Sequence, residues 1–451
     1  MMCRRPARIV LVALALLLLL ACTSLSLSAA VINATPANVK QHLKTLKAGD
    51  TLKLTAGVYP PLVLRNLHGT ASAWITIEGP ATGAPAVISV DPGHVTCCNV
   101  IELADASYIA IRNLRVDSRG SRWANGLNTA GITHDILVEN CTFVGQGARQ
   151  QTVGISTKAA AWNWVIRGNT VIDAGTGMYF GNSKGDAPFI NGVIENNLVV
   201  GSIGYNLQVK WQDAYPREWR PVAGPLRTLI RHNVFVKTRA QASFAATRVD
   251  GARPSVLVGG FPDSGPAAND RYEIYANFFL DNPDGEALFQ GSGAIVLHDN
   301  IFAGGTYRAV SLVNHDRPIK RAYVYNNTVY ARGRGIVVSG NALEDSMVNG
   351  NLVLADDGIT APVQSDNVVD ALSRAAHYVI KPAWVPGEMD FRPRPGSLTG
   401  PPLDLSRYTT HADYDRDFDG ATKTGFTTRG AYASERNGRG WVLGIERKVL
   451  Q

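Results

Sequence analysis

Lys158, Tyr179 and Lys210 are residues that, if brought to one face, could handle an acidic sugar. Removing a proton beside a carboxylate needs a base, a positive charge to neutralise the carboxylate, and an acid for the leaving oxygen. Lysine can be the base where neighbouring positive charge lowers its pKa, and tyrosine or lysine can return the proton. The residue types suggest Lys210 as base, Lys158 or Arg217 as neutraliser and Tyr179 as acid, with Gln208 as a hydrogen-bonding neighbour. Directly after Lys210 comes a segment, 211–221, that carries Trp211, Tyr215, Arg217, Trp219 and Arg220. Flat aromatic faces suit sugar rings, and arginine binds carboxylate or sulfate in bidentate fashion. Asn314, His315 and Arg317 form a second polar group expected on the same side. The competing reading is plain: solvated lysines, tryptophans that pack their own loop, and a histidine that is a polar surface group.

These residues lie far apart in sequence, so a regular element must align them. It is legible as a short pattern of apolar, outward polar, turn residue, Asn, any residue, apolar, as in Ile166-Arg-Gly-Asn169-Thr-Val171. The Asn recurs at Asn169, Asn197, Asn233, Asn277, Asn300, Asn327 and Asn351, at intervals of 28, 36, 44, 23, 27 and 24 residues. Leu114 and Cys141 occupy the same frame earlier. Repeats of this size announce a solenoid, and the two-residue alternation of Val, Ile and Phe makes its pieces strands. If the coils pair as parallel strands, equivalent residues stack roughly 4.8 Å apart. The Asn column then bonds rung to rung and is structural. Arg112, Glu139, Arg167, Glu195 and Arg231 become a cross-rung ion ladder, which makes them poor catalytic candidates.

Second strands follow the Asn turns: 154–158, 177–181, 206–210, 255–259, 286–290, 309–313 and 335–339. Alternation turns Ile155, Met178, Leu207, Val310 and Ile336 inward. The outward columns read Ser156, Tyr179, Gln208, Leu257 and Lys158, Gly181, Lys210, Gly259. Two lysines two rungs apart with a glycine between leave a gap of roughly 10 Å, across which an anionic sugar can lie. Both long intervals fall here, and solenoid insertions map to loops on one face, often the binding face. Segments 237–253 and 261–271 are expected to wall the same cleft.

Over roughly residues 45–360 the chain resembles the right-handed parallel β-helix proteins, the pectate-lyase-like superfamily of secreted polysaccharide-active and surface proteins. The resemblance rests on the Asn repeats and implies an all-β, right-handed parallel β-helix. It is specific for fold, not for activity. The chondroitinase-B-like and alginate lyases it distantly resembles use a Lys and an Arg, with calcium in some members, but their catalytic strand motif is not found here. The Asp-Pro-His-Asp motif of the superfamily's mannuronan epimerases is absent too. A glycosidase needs paired carboxylates, and the outward columns offer only Glu286. The expectation is an exported carbohydrate-active protein, read as a lyase that cleaves an acidic, uronate-containing polysaccharide by β-elimination. Its rival is a non-catalytic glycan-binding or cell-surface protein.

The ends complete the reading. Arg4, Arg5 and Arg8, an apolar run over 9–20 and a small-residue close at Ala30 make residues 1–30 a secretory signal. Leu19-Leu20-Ala21-Cys22 also resembles a lipobox, which would make 1–21 the signal and Cys22 a lipid anchor; bulky Leu20 favours the soluble form. The formal charge of +7 includes those three arginines, so the remaining +4 is compatible with an acidic polysaccharide and decides nothing. No nucleic-acid partner is expected, membrane contact would come only through Cys22, and the chain is expected to be a monomer. A capping helix is expected from Thr35-Pro36 through Leu46, the solenoid over 31–360 and an irregular closing segment over 361–451. Cys97 or Cys98 could bridge to Cys141, or Cys141 could be a buried corner thiol. Asp415, Asp417 and Asp419 have the spacing of a calcium loop, although its twelfth position is Phe426 rather than Glu; a solvated turn is the alternative.

Overall fold

The computed structural model describes residues 29–93, 99–215, 225–238, 252–434 and 440–448. The strands from Val31–Ala34 to Val368–Asp370 join in one continuous sheet whose pairings are all parallel. The chain is a right-handed parallel β-helix, and its stack runs a little past the boundary expected near residue 360. Its interior is apolar columns: Ile166, Ile194, Ile230 and Ile274 before the Asn turn, then Val171, Val199, Phe235, Phe279 and Phe302 after it, all with no exposure. Phe279 and Phe302 stack at 4.6 Å between ring centres.

The Asn column is a buried hydrogen-bond ladder. Each Nδ2 donates to the next Oδ1 at 2.9–3.0 Å from Asn169 to Asn351, and the ladder goes on to Asn367. The same Oδ1 atoms accept the backbone N–H of the preceding rung, beginning with Cys141, at 2.9–3.0 Å. The residue before each ladder Asn is left-handed: Gly168, Asn196, His232, Ala276, Asp299, Asn326 and Gly350 have φ between 51° and 68°. That conformation costs roughly 1–2 kcal/mol for a residue such as Ala276, and the ladder bonds on either side offset it. Arg112 and Arg167 both reach Glu139, at 2.9 and 2.5 Å, and Arg231 reaches Glu195 at 2.7 Å. Farther along, this column turns aromatic, with Tyr275, His298 and Tyr325 stacked at 4.8 Å intervals.

Both ends refine expectation. Val39, Leu43 and Leu46 are buried as the capping pattern requires, but the helix is only Val39–Leu43, with Pro36 in the turn before it. The C-terminal segment does not merely close the far end: it runs back along the outside of the coils. Phe391, Phe418, Tyr432 and Leu443 pack on Val234, Phe278, Ile301 and Leu352. Tyr408 packs on Tyr325 at 4.1 Å. Arg447 finally reaches Asn140, 307 residues earlier, at 3.1 Å. Cys141 is a buried free thiol whose burial pushes its pKa up to about 12. Cys22, Cys97, Cys98 and the whole export signal lie outside the described residues. Among the described residues no helix is long and apolar enough to cross a membrane.

Candidate functional site

The second strands lie in register as their alternation demands. Ile155, Met178, Leu207 and Val256 pair in sequence across the rungs and point inward with no exposure. Ser156, Tyr179, Gln208 and Leu257 therefore form one outward column. The ladder continues one residue further: Gly181 N–H donates to Thr157, Lys210 N–H to Phe180 and Gly259 N–H to Val209. Lys158, Gly181, Lys210 and Gly259 thus share the next column. Gly181 has φ +81°, and a Cβ there would stand 3.2 Å from the Lys210 Cβ. Glycine both supplies the turn and leaves room for the lysine.

Around these columns is a cleft of about 420 Å³. Its floor is Tyr179 and Gln208; one edge, before the strands, is Gln150, Gln151, Thr176, Tyr205 and Arg253; the other, after them, is Lys158, Asn182, Ser183 and Lys210. Lys158 Nζ lies 5.8 Å from the Tyr179 ring centre. Lys210 Nζ is bound to Asp316 Oδ2 at 2.9 Å. Burial, then the proximity of Tyr205 and Asp316, pushes the Tyr179 phenol up to about 12. The Tyr205 phenol is also raised, mainly by burial, with Arg253 opposing. The Arg253 backbone is anchored from below, where its carbonyl accepts bonds from Lys237 Nζ and Asn282 Nδ2 at 3.3 and 2.9 Å. Lys237 is itself buried against Asp284 at 2.6 Å.

Lys158, Tyr179, Gln208 and Lys210 are therefore brought together. Trp211, Tyr215, Asn314, His315 and Arg317 stand beyond the lining and brace it. Trp211 lies against Gly185 and under the Arg317 guanidinium, whose carbon is 4.6 Å from the ring centre. Arg317 also pairs with Asp213 at 2.7 Å. Tyr215 Oη donates to Asp270 at 2.7 Å. Asn314 Nδ2 donates to Asn341 at 2.7 Å, and half-exposed His315 accepts the Asp316 N–H through Nδ1 at 2.8 Å. Arg217, Trp219 and Arg220 lie outside the described residues.

Tyr205 and Asp316 were not singled out from the sequence. Tyr205 has a positional signal, since it precedes its strand as Gln150 and Gln151 precede theirs. Asp316 has none, because its loop follows a strand three rungs away and reaches back. Glu286 leaves the outward column: Val256 pairs with Phe289, so Gln290 continues that column and Glu286 sits in the preceding loop.

In the Asp415, Asp417 and Asp419 segment, two of the three carboxylates are engaged by the chain's own backbone. Asp417 accepts backbone N–H groups from Asp419, Ala421 and Ala433 at 2.8–3.0 Å, and Asp419 accepts that of Trp441 at 3.3 Å. The positive charge that Asp417 and Asp419 face is buried Lys448, whose pKa burial lowers to about 7. Among the described residues no three His, Cys, Asp or Glu side chains are grouped to hold a metal.

No protein-family model matches the sequence, and a search of curated proteins found no relative. Among solved structures the chain is similar to an alginate lyase from Paenibacillus sp., with TM-score 0.41 and 15% identity over 74% of this chain and 99% of that one. It is also similar to a lacto-N-biosidase from Eubacterium ramulus, with TM-score 0.42 and 13% identity over 76% and 68% of the two chains. A third is a polysaccharide lyase from Pseudopedobacter saltans, with TM-score 0.40 and 11% identity over 76% and 93%. These likenesses concern the course of the backbone alone.

Proposed function

We propose that this is an exported carbohydrate-active protein whose cleft takes an acidic polysaccharide and cleaves it by β-elimination. The observation that supports the reading is the composition of the cleft: Lys158, Lys210 and Arg253 converge with Tyr179 and Tyr205, and no Asp or Glu is among its described lining residues. Three cations suit a uronate carboxylate, whereas glycoside hydrolysis needs two carboxylates flanking the bond. In this reading Lys158 and Arg253 neutralise the substrate carboxylate, Lys210 takes the proton beside it, and Tyr179 protonates the leaving oxygen. A phenol held at about 12 remains protonated at neutral pH and can donate. Elimination requires Lys210 to leave Asp316 as a free amine.

The ion pair itself favours a second reading. An ammonium held by Asp316 at 2.9 Å is a binding group, and the cleft would then hold acidic glycans without cutting them. One assay separates the two: incubation with alginate, pectate, glucuronan and glycosaminoglycans, followed by ultraviolet absorbance of new unsaturated ends. The lyase reading expects a rise on at least one polymer that Lys210→Ala abolishes without lowering Tm. No rise on any of them, with glycan-array binding retained, would leave the binding reading.

A further inference from the structure

Trp123 and Arg149 lie beyond the cleft lining, on the loops that precede strands Leu127–Glu139 and Val153–Thr157. Trp123 is 45% exposed, a large apolar surface for an indole on a structured loop. The Arg149 guanidinium carbon sits 4.6 Å from its ring centre. Among the described residues the Arg149 side chain has no hydrogen bond or ion pair, and its Nε is buried without a partner.

The loops that carry the pair are tied to the cleft by threonine hydroxyls bonded to backbone carbonyls. Thr152 Oγ1 donates to the Arg122 carbonyl at 3.1 Å, and Thr176 Oγ1 to the Gln150 carbonyl at 3.0 Å. Thr176 and Gln150 both line the cleft. The Trp123 coil is three strand spacings before the coil of Lys210, counted through Leu127, Ile155, Met178 and Leu207. At ~4.8 Å per spacing that is roughly 14 Å along the axis. The Tyr179 coil is one spacing nearer, roughly 10 Å from that of Trp123, a distance that a neighbouring unit of the same polymer would span.

We propose that Trp123 and Arg149 form a distal subsite for an acidic sugar unit, the indole carrying the apolar side of the ring and the guanidinium its carboxylate or sulfate. The subsite rests on the reading of the cleft as the seat of an acidic polysaccharide. It makes affinity depend on chain length, because short fragments fill the cleft alone.

The test is isothermal titration of disaccharides and hexasaccharides prepared from alginate, pectate, glucuronan and a glycosaminoglycan against the full chain. Trp123→Ala and Arg149→Gln should each weaken the hexasaccharide by about tenfold, the scale of one aromatic or cation–π contact. Both should leave disaccharide affinity and Tm unchanged, whereas Lys158→Ala weakens both ligands. If the two distal variants bind hexasaccharide as wild type while Lys158→Ala loses it, the cleft stands and the subsite falls. If only the distal variants lose affinity, the cleft reading falls, and the subsite as an extension of it falls with it. If no hexasaccharide binds the wild-type chain, both fall.

Discussion

Tyr179 is the cleft residue whose protonation its surroundings fix most firmly. Burial and the nearby Tyr205 and Asp316 all disfavour the phenolate, so raising the pKa from 10.0 to about 12 keeps the neutral phenol dominant through the alkaline range. An ultraviolet difference titration of wild type against Tyr179→Phe should show the missing phenol ionising near pH 12. A step near pH 10 would contradict the packing described. In the lyase reading the same variant loses its proton donor, and kcat should fall by about 100-fold or more with KM little changed. The residue types were legible in the sequence because alternation placed Tyr179, Gln208, Lys158 and Lys210 outward, and outward residues with no core to support stand out. Asp316 was hidden, because its contact with Lys210 spans 106 residues through a loop without periodicity.

At the scale of the element, the Asn ladder keeps the coils in register and so keeps the cleft columns aligned. Asn233 Oδ1 accepts from the backbone N–H and the Nδ2 of Asn197, and its Nδ2 donates to the Ile194 carbonyl and to Asn277 Oδ1. Asn233→Ala strips partners from a ladder that is fully buried. Each buried group left unsatisfied costs about 1–3 kcal/mol, so urea unfolding should show a loss of roughly 3 kcal/mol or more. Removing one arm of the half-exposed ion ladder, as in Arg167→Ala, should cost less than about 1 kcal/mol. The ladder was the most legible feature, since one residue type recurs at one place in the turn. Its strand partners were less so. Phe289 stands opposite Val256 where the expected strands put Ala287, a slip of the kind a period of two conceals: an even shift leaves every side chain on its expected face, and only neighbouring coils reveal it.

The whole molecule depends on its tail more than the sequence announces. Val234, Phe278, Ile301 and Leu352 point away from the interior and are still buried, because Phe391, Phe418, Tyr432 and Leu443 cover them. In sequence these positions read as ordinary apolar neighbours of the Asn turn, and the Pro- and Gly-rich tail has no period to show what it covers. A chain ended after residue 371 should expose this apolar band and lose soluble yield, while substitution of the cleft lysines should not. Size-exclusion chromatography of the two would show the difference. The reach of Arg447 back to Asn140 has a consequence in time. A solenoid whose coils touch only their neighbours can set one coil after another as the polypeptide emerges. Here Phe391, Phe418, Tyr432 and Leu443 cover surface laid down earlier in the chain, so the apolar band stays bare until those residues have been made. Whatever handles the nascent chain must shield that band from its first coil until the tail has emerged.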